Sequence, residues 1–549
     1  MTLRSNSNET DRTEDPLPRW EELVTTALLG TERRQPPVLV RPRGREATIT
    51  LLDAAVVHTV RRRAGLVPAA AASRPAPAPF DGRPLPPLAA RRRLAQLLAD
   101  RAAPSSSGRR GTAPDLTELL PQWLTKANDH GYQAPAPLLP ALLDAARART
   151  DLRTQVLTFV GSRGLWLARL NPEWKFALRG ASGSGALLFD VDDSNAVHEL
   201  WAEGLFAERV ALLTAVRGRD ASRALALLAG TWSTERAEDR LMFLDSLRAG
   251  LSPADEPFLE QALTDRSRNV RATAAELLSA LPLSALAGRM AKRALACVGP
   301  ALVAGKPSIA VTAPRECDAQ MQRDGVAPAP PTGRGARSWW LGQLVESAPL
   351  SAWTEQFDGR SAQDIVTLPV ADGWGEELHA AWCRAAVRQR DAQWARALLG
   401  RPGAPPESGQ GTSSLAERAK LLSSLPEDER ALWVARFIAA HGLSEAFQLL
   451  GVCAVPWSEP LGHSVVDALD IAREAGSYPW SFSGVMGLAE RCLAPVEAGR
   501  LDLLTATPAE VEGASPGAGS YWSEAFQRLV STLRLREAMQ GELAGTLPR

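Results

Sequence analysis

Three arginines, Arg209, Arg240 and Arg271, stand 31 residues apart, and the residues around them recur in type. Seven positions after each stands Val216, Leu247 or Leu278, and nineteen after each stands Leu228, Leu259 or Met290. Twenty-three after each stands Trp232, Leu263 or Ala294, where the agreement weakens. Similarity at a fixed period of this length marks stacked helical hairpins, because one hairpin cannot bury its own apolar face and needs its neighbour to cover it. The period therefore predicts three consecutive helical hairpins over residues 208–297, with Leu247, Leu259, Leu263 and Leu278 in the core. A stack of this kind builds surface; it does not by itself specify a reaction.

Local signals extend the helical reading in both directions. Apolar spacing predicts helices at 115–128, 137–149, 151–160, 196–204, 206–217, 220–230, 234–249, 253–264, 267–280 and 283–297. Within the repeat, Gly250 ends one helix, while Ser252, Pro253 and Asp255 form an S-x-x-D start for the next. Nearer the start, a helix is expected from Trp20 to Leu29, stopping at Gly30. A second runs from Glu46 to Arg63, with Ile49, Leu52, Val56 and Val60 at helical spacing. Arg61, Arg62 and Arg63 then occupy its last turn, where cations suit the helix dipole.

The expected organisation is a polar, disordered tail (1–19), then a basic N-terminal helical region (20–114) with mobile Pro/Ala- and Ser/Gly-rich linkers at 66–87 and 104–114. A helical array (115–297) follows, then an irregular or small β insertion (298–335) with one short strand at Ser308–Thr312, and a C-terminal helical region (336–549). At 549 residues the chain exceeds one compact core, and 45% apolar residues is ordinary globular content. No apolar run approaches the roughly 18–20 residues a spanning helix needs. The polar start has no apolar h-region, and the five cysteines form no C-x-x-C pair, so a reduced cytoplasmic protein is expected.

Net charge is zero but unevenly spread. From Arg33 to Arg110 there are sixteen arginines and no lysine against four acidic residues, a net charge of +12. The rest of the chain carries −12 and offers an internal partner for these cations. With five lysines in all, arginine supplies nearly all the positive charge.

The unit ALTDRSRNVRATAAELLSAL (262–281) resembles the B-helix region of a short HEAT-type repeat. Asp265 ends one hairpin, Val270-Arg271 follows, then the small pair Ala274-Ala275, then Leu277 and Leu278. The two preceding units depart from this pattern, with Glu208 and Asp239 in place of the valine. The resemblance implies an all-α, HEAT-like α-solenoid of stacked hairpins whose concave face is lined by the second helix of each. Four longer segments, WEELVTTALLGTERR (20–34), GSRGLWLARLNPEW (161–174), 323–353 and 380–399, resemble an uncharacterised domain-of-unknown-function family of actinobacteria and cyanobacteria. That resemblance brings no catalytic residues. It implies a gene neighbourhood of MoxR-type ATPases, von Willebrand A domain proteins and SWIM zinc-finger proteins, and hence a subunit of an ATPase-linked system.

Motifs that carry chemistry fail in detail. The stretch GPALVAGKPS (299–308) comes near a phosphate loop, but Gly299 is one residue too far from Gly305 and Pro307 replaces the magnesium-binding hydroxyl. In the G-x-S-x-G match at 513–517, Pro516 follows Ser515 and has no N–H for an oxyanion. His379 and Cys383 have zinc half-site spacing, but no second pair accompanies them. No catalytic, metal or cofactor residues are assigned. Sixteen tryptophans, against twelve Phe and three Tyr, are expected mainly to fill the core. The candidate interaction surface is Arg163, Trp166, Asn171 and Trp174 with the repeated Arg209, Arg240 and Arg271, since Trp and Arg are favoured contact residues. The sequence reads as a cytoplasmic, non-enzymatic scaffold or adaptor that binds other proteins. Two rival readings stand beside it: a nucleic-acid-binding array using the basic N-terminal region, and an enzyme with a dispersed active site.

Overall fold

A computed structural model of the chain describes residues 20–36, 46–64, 75–78, 80–102, 116–180, 193–403, 414–506 and 517–545. The expected tail (1–19), the linkers over 65–74 and 104–114, and Ser515 lie outside the described residues. The described part is overwhelmingly helical, so the chain is all-α with one small β element. Two compact units divide between Pro77 and Ala78.

The first unit pairs the helices Trp20–Leu29 and Ala47–Arg63. Leu23, Thr26, Leu51 and Ala54 are the buried residues of these two helices. Arg61, Arg62 and Arg63 occupy the last turn as expected, and the Arg62 guanidinium lies 5.5 Å from the centre of the Trp20 ring. The stripe read from the sequence, Ile49, Leu52, Val56 and Val60, is 41–60% exposed. Leu51 and Ala54 make the contact instead, because the helix turns a different face to its neighbour.

The second unit starts with a latch. Residues 80–87 were expected to be part of a mobile linker, yet they are held in place by side chains. The Arg83 guanidinium donates to the carbonyls of Thr158 (2.8 Å), Tyr132 (3.2 Å) and Phe159 (3.3 Å) and pairs with Asp81 at 2.7 Å. The Pro84 carbonyl accepts from the backbone N–H of Gln133. The cause lies in helix Arg153–Leu170, which breaks at Gly161 (φ 55°, ψ −151°). The break strips helical partners from carbonyls of the preceding turn, and Arg83 supplies donors to them. A Cβ on Gly161 would stand 2.8 Å from the Asp81 carboxylate and closer still to the Arg83 guanidinium. Gly161→Ala is therefore expected to cost on the order of 1–3 kcal/mol from backbone strain alone. Thermal unfolding would measure it, and amide exchange at Arg83 and Gln133 should accelerate.

Helices Leu88–Ala102 and Leu116–Asp129 pack on each other, so the first of them belongs with the array that follows. They share a core with Phe159, Val160 and Leu165. A second, larger core runs from Val197 to Leu533. Within it, helix Phe206–Arg219 packs on Ala221–Thr231 and on Ala237–Ser246, and the latter packs on Arg268–Ser279. Arg268–Ser279 also contacts Glu256–Ala262 and Ala285–Cys297. Leu247, Leu259, Leu263 and Leu278 are all buried, as the period requires. Packing continues through Ala336–Ser347 and Gly375–Gln389 to Leu415–Ser423, Leu443–Leu450 and Ser483–Cys492.

The insertion is a β-hairpin. Strands Val298–Val303 and Lys306–Val311 pair antiparallel, with Val298 opposite Val311 and Val303 opposite Lys306. Ala304 and Gly305 make the tight turn with φ of 50° and 75°. The sequence showed only the second strand. Lys306 and Gly305, the near phosphate loop, thus belong to a hairpin and open no helix. The expected linker 326–335 is pinned by adjacent tryptophans. The Trp339 and Trp340 indoles donate to the carbonyls of Ala327 and Pro328, each at 2.9 Å.

The last helix, Ala518–Ala544, closes the unit. Trp522, Phe526 and Leu529 lie in the larger core, while Met539 and Leu543 lie in the smaller one. Glu542 pairs with Arg93 at 2.7 Å, and the Tyr132 hydroxyl donates to the Leu543 carbonyl at 2.9 Å. Arg93 is thereby an arginine of the basic segment satisfied by the acidic remainder of the same chain.

Candidate functional site

The repeated arginines recur for a structural reason. The Arg209 guanidinium lies 4.5 Å from the centre of the Trp201 ring and 5.3 Å from that of Phe243, and pairs with Glu235. One repeat on, Arg240 lies 5.6 Å from the centre of Trp232 and 3.3 Å from Asp265. Each of these two arginines thus follows an aromatic by eight residues and reaches an acidic residue 26 or 25 residues ahead. The motif combines cation–π attraction with a charge-assisted contact. At the third repeat both partners are missing from the pattern: Leu263 replaces the tryptophan, and Arg271 turns back onto the carbonyls of Asp265 (2.7 Å) and Arg266 (3.1 Å). Arg209 and Arg240 therefore join successive units.

Glu235 reports on this joint. Burial would raise its pKa, but the paired Arg209 guanidinium outweighs burial and holds it below its ordinary value of 4.5. A lowered folded pKa gives stability that is complete above the unfolded value and is lost as pH falls through the folded one. Acid titration followed by the fluorescence of the native protein should show a transition below about pH 4.5 that Glu235→Gln removes. An unchanged transition in that variant would contradict the assignment.

The other four candidate residues surround the broken helix. Arg163 lies near enough to Asp81 to help lower the pKa of its carboxyl, behind the larger effect of the Arg83 hydrogen bond. Trp166 is half-buried. Asn171 caps the turn Pro172–Trp174 by accepting from the Glu173 N–H at 3.0 Å. Trp174 is buried and donates to Asp144 at 2.9 Å. This segment is helix and cap. His379 and Cys383 are both buried on helix Gly375–Gln389. Burial, then the nearby Glu417, raises the Cys383 thiol to about 12, so it stays protonated at neutral pH. Among the described residues no group of three His, Cys, Asp or Glu is placed to hold a metal ion.

A cleft of about 860 Å³ was not anticipated. One wall is built from Arg248, Gly250, Leu251, Glu276 and Leu277, and the other from Arg384, Val387, Arg388 and Arg390 with Glu417 and Lys420. Five cations face two carboxylates. Most are committed internally. Arg248 grips Glu276 at 2.9 and 3.0 Å, which with Asp245 raises its pKa. Arg388 pairs with Glu346 at 3.1 Å, and Arg384 pairs with the same carboxylate. Arg390 and Lys420 are exposed and make no ion pair among the described residues. Arg390 sits at the left-handed end of its helix (φ 52°), which turns it away from the helix axis. Residues 248–281 and 383–420 are far apart in sequence, and no short motif spans them. The helix resemblance around 262–281 and the segment 380–399 were visible, but not their juxtaposition.

These features define an all-α protein with a charged cleft between distant helical segments. The chain belongs to a family of unknown function, DUF5691, whose profile matches residues 22–543. The sequence resemblance to an uncharacterised domain-of-unknown-function family is thus confirmed. No curated protein and no solved structure matches the chain. Among the described residues no helix is long and apolar enough to cross a membrane.

Proposed function

We propose that this protein is a HEAT-like α-solenoid that works as a cytoplasmic scaffold or adaptor, with the charged cleft as its docking surface for an acidic segment of another protein. The solenoid reading is supported by the sequential packing from Phe206 to Cys297 and by the Arg–Trp–acid joint that recurs at 31 residues. Helices bearing Arg240 and Arg271 lead into the cleft wall at Arg248 and Glu276. The observation that carries the docking reading is the cleft itself. It spans two sequence-distant walls, holds pre-organised ion pairs, and leaves Arg390 and Lys420 free at its edge. Pre-paired walls favour selective contact over diffuse attraction, and the two free cations give complementarity to a negative partner.

A MoxR-type ATPase, a von Willebrand A domain protein or a SWIM zinc-finger protein is the class of partner we propose, within an ATPase-linked system. The experiment is quantitative affinity purification from the native host with nuclease treatment, comparing the unaltered chain with Arg390→Glu/Lys420→Glu. We expect one or a few protein partners to be depleted about tenfold or more by the double charge reversal, equivalent to roughly 1.4 kcal/mol or more. Retention of every partner by the variant would reject the cleft as the docking surface. Loss of all partners on nuclease treatment would favour a nucleic-acid-binding array instead.

A further inference from the structure

A second cavity, of about 260 Å³, lies between helix Leu116–Asp129, the Val455–Pro456 segment and the closing helix Ala518–Ala544. Its lining includes Trp123, Gln122 and Arg536, with Val455, Met539 and Leu543 as apolar wall. We propose that it is a binding site for a small organic monocarboxylate, with the acid group facing Arg536 and Trp123 and the hydrocarbon part against Met539 and Leu543.

The argument starts from unsatisfied chemistry. Arg536 is 5% exposed. One of its terminal nitrogens donates to the carbonyls of Leu493 (2.6 Å) and Glu490 (3.2 Å). Among the described residues no carboxylate pairs with it. The other arginine buried to this degree, Arg217, has its carboxylate in Asp255 at 2.7 Å. An isolated buried cation is costly, so such groups are normally paired. The end of helix Ser483–Cys492 offsets only about half a unit of charge. Burial accordingly lowers the pKa of Arg536 to about 10.

Two further donors share the cavity. Trp123 is fully buried and its indole N–H has no acceptor, and the Gln122 amide nitrogen is likewise buried without one. A leftover positive charge with two donors lacking acceptors calls for an anionic, acceptor-only group. One planar guanidinium matches the planar fork of a carboxylate. A single buried cation suits a monoanion, and Val455, Pro456, Met539 and Leu543 form an apolar wall; Thr125, Lys126 and Gln540 line the exposed rim, where Lys126 is paired with Asp129 at 3.2 Å. The volume is below the usual range of about 300–1,000 Å³ for ligand sites. At about 30 Å³ for each water-sized group it admits a body of roughly eight or nine atoms.

The test uses the purified full chain and titration calorimetry with hexanoate and benzoate, against hexanol, hexanamide and benzamide as neutral controls. One of the acids should bind, and its neutral counterpart should bind about tenfold more weakly or worse, the factor expected when a hydrogen-bonded charge is removed. Arg536→Lys should weaken the acid by a similar factor. Trp123→Phe keeps the ring, removes only the N–H, and should weaken it by several-fold, so the site remains testable should the Arg536 variant not fold. Equal binding of acid and amide, no heat with either acid at about 10 mM (a Kd weaker than roughly −3 kcal/mol of binding), or acid binding untouched by Trp123→Phe would each overturn the proposal.

Discussion

Arg217→Met is expected to lower stability by about 3–5 kcal/mol, the range for breaking one side of a buried ion pair. The Arg217 side chain is wholly inaccessible, and its Asp255 partner is nearly so. The guanidinium holds both Asp255 oxygens at 2.7 and 3.1 Å and reaches the carbonyls of Ala249 (2.5 Å) and Leu247 (3.0 Å). It ties helix Phe206–Arg219 to the turn that follows helix Ala237–Ser246. Removing it leaves Asp255 buried without its counter-charge and several carbonyls without donors. Asp255 also accepts from the Ser252 N–H at 2.9 Å, closing the S-x-x-D start read from the sequence. Pairing Arg217→Met with Asp255→Leu should therefore recover part of the loss, since the stranded charge is gone. It should not recover the cap, worth about 1 kcal/mol. Denaturant unfolding of the two single variants and the double variant measures this cycle. Losses below about 1 kcal/mol in both single variants would show that the pair does not join the repeats.

Leu543→Ala is expected to cost about 2–5 kcal/mol, and Met539→Ala a comparable amount, as for other large-to-small changes in a packed core. Both residues are almost fully buried, in a core otherwise built from residues 90–177. They carry the contact by which the closing helix reaches the first helices of its unit. The half-buried pair Arg93–Glu542 beside them fixes geometry as well. The distinguishing readout is amide exchange. Leu543→Ala should release protection in Leu88–Ala102 and Leu116–Asp129, some 400 residues away in sequence. A loss confined to the last helix would mean that the two ends of the unit are stabilised independently.

The helices were legible because their signals are local. Apolar spacing, Gly250, Ser252 and Pro253 act within one or two turns, and the observed spans over 206–297 follow the expected ones to within a few residues. The 31-residue period was legible for the same reason, but its meaning was not. Arg209 and Arg240 looked like surface contact residues until Trp201, Trp232, Glu235 and Asp265 were seen around them. The strand Val298–Val303 was missed because a six-residue apolar run holding Gly299 and Pro300 carries little periodicity of its own. It becomes a strand only through pairing with Lys306–Val311. The latch at Asp81–Arg83 was hidden by proline-rich composition, and its partner carbonyls lie about 50 and 75 residues further on. Both cavities are products of tertiary packing, and the sequence held no sign of either. Cleft walls drawn from 248–281 and 383–420 leave no trace in any window that periodicity can read.

The most direct test of the docking surface is site-specific photo-crosslinking in the native host, with the photoreactive residue placed at Arg390, at Lys420, or at Val496, which is 78% exposed and lies outside the cleft. The docking account expects positions 390 and 420 to capture the same protein, through an acidic segment identified by mass spectrometry, while position 496 does not. Capture of nucleic acid at the cleft, or the same adducts from all three positions, would contradict it.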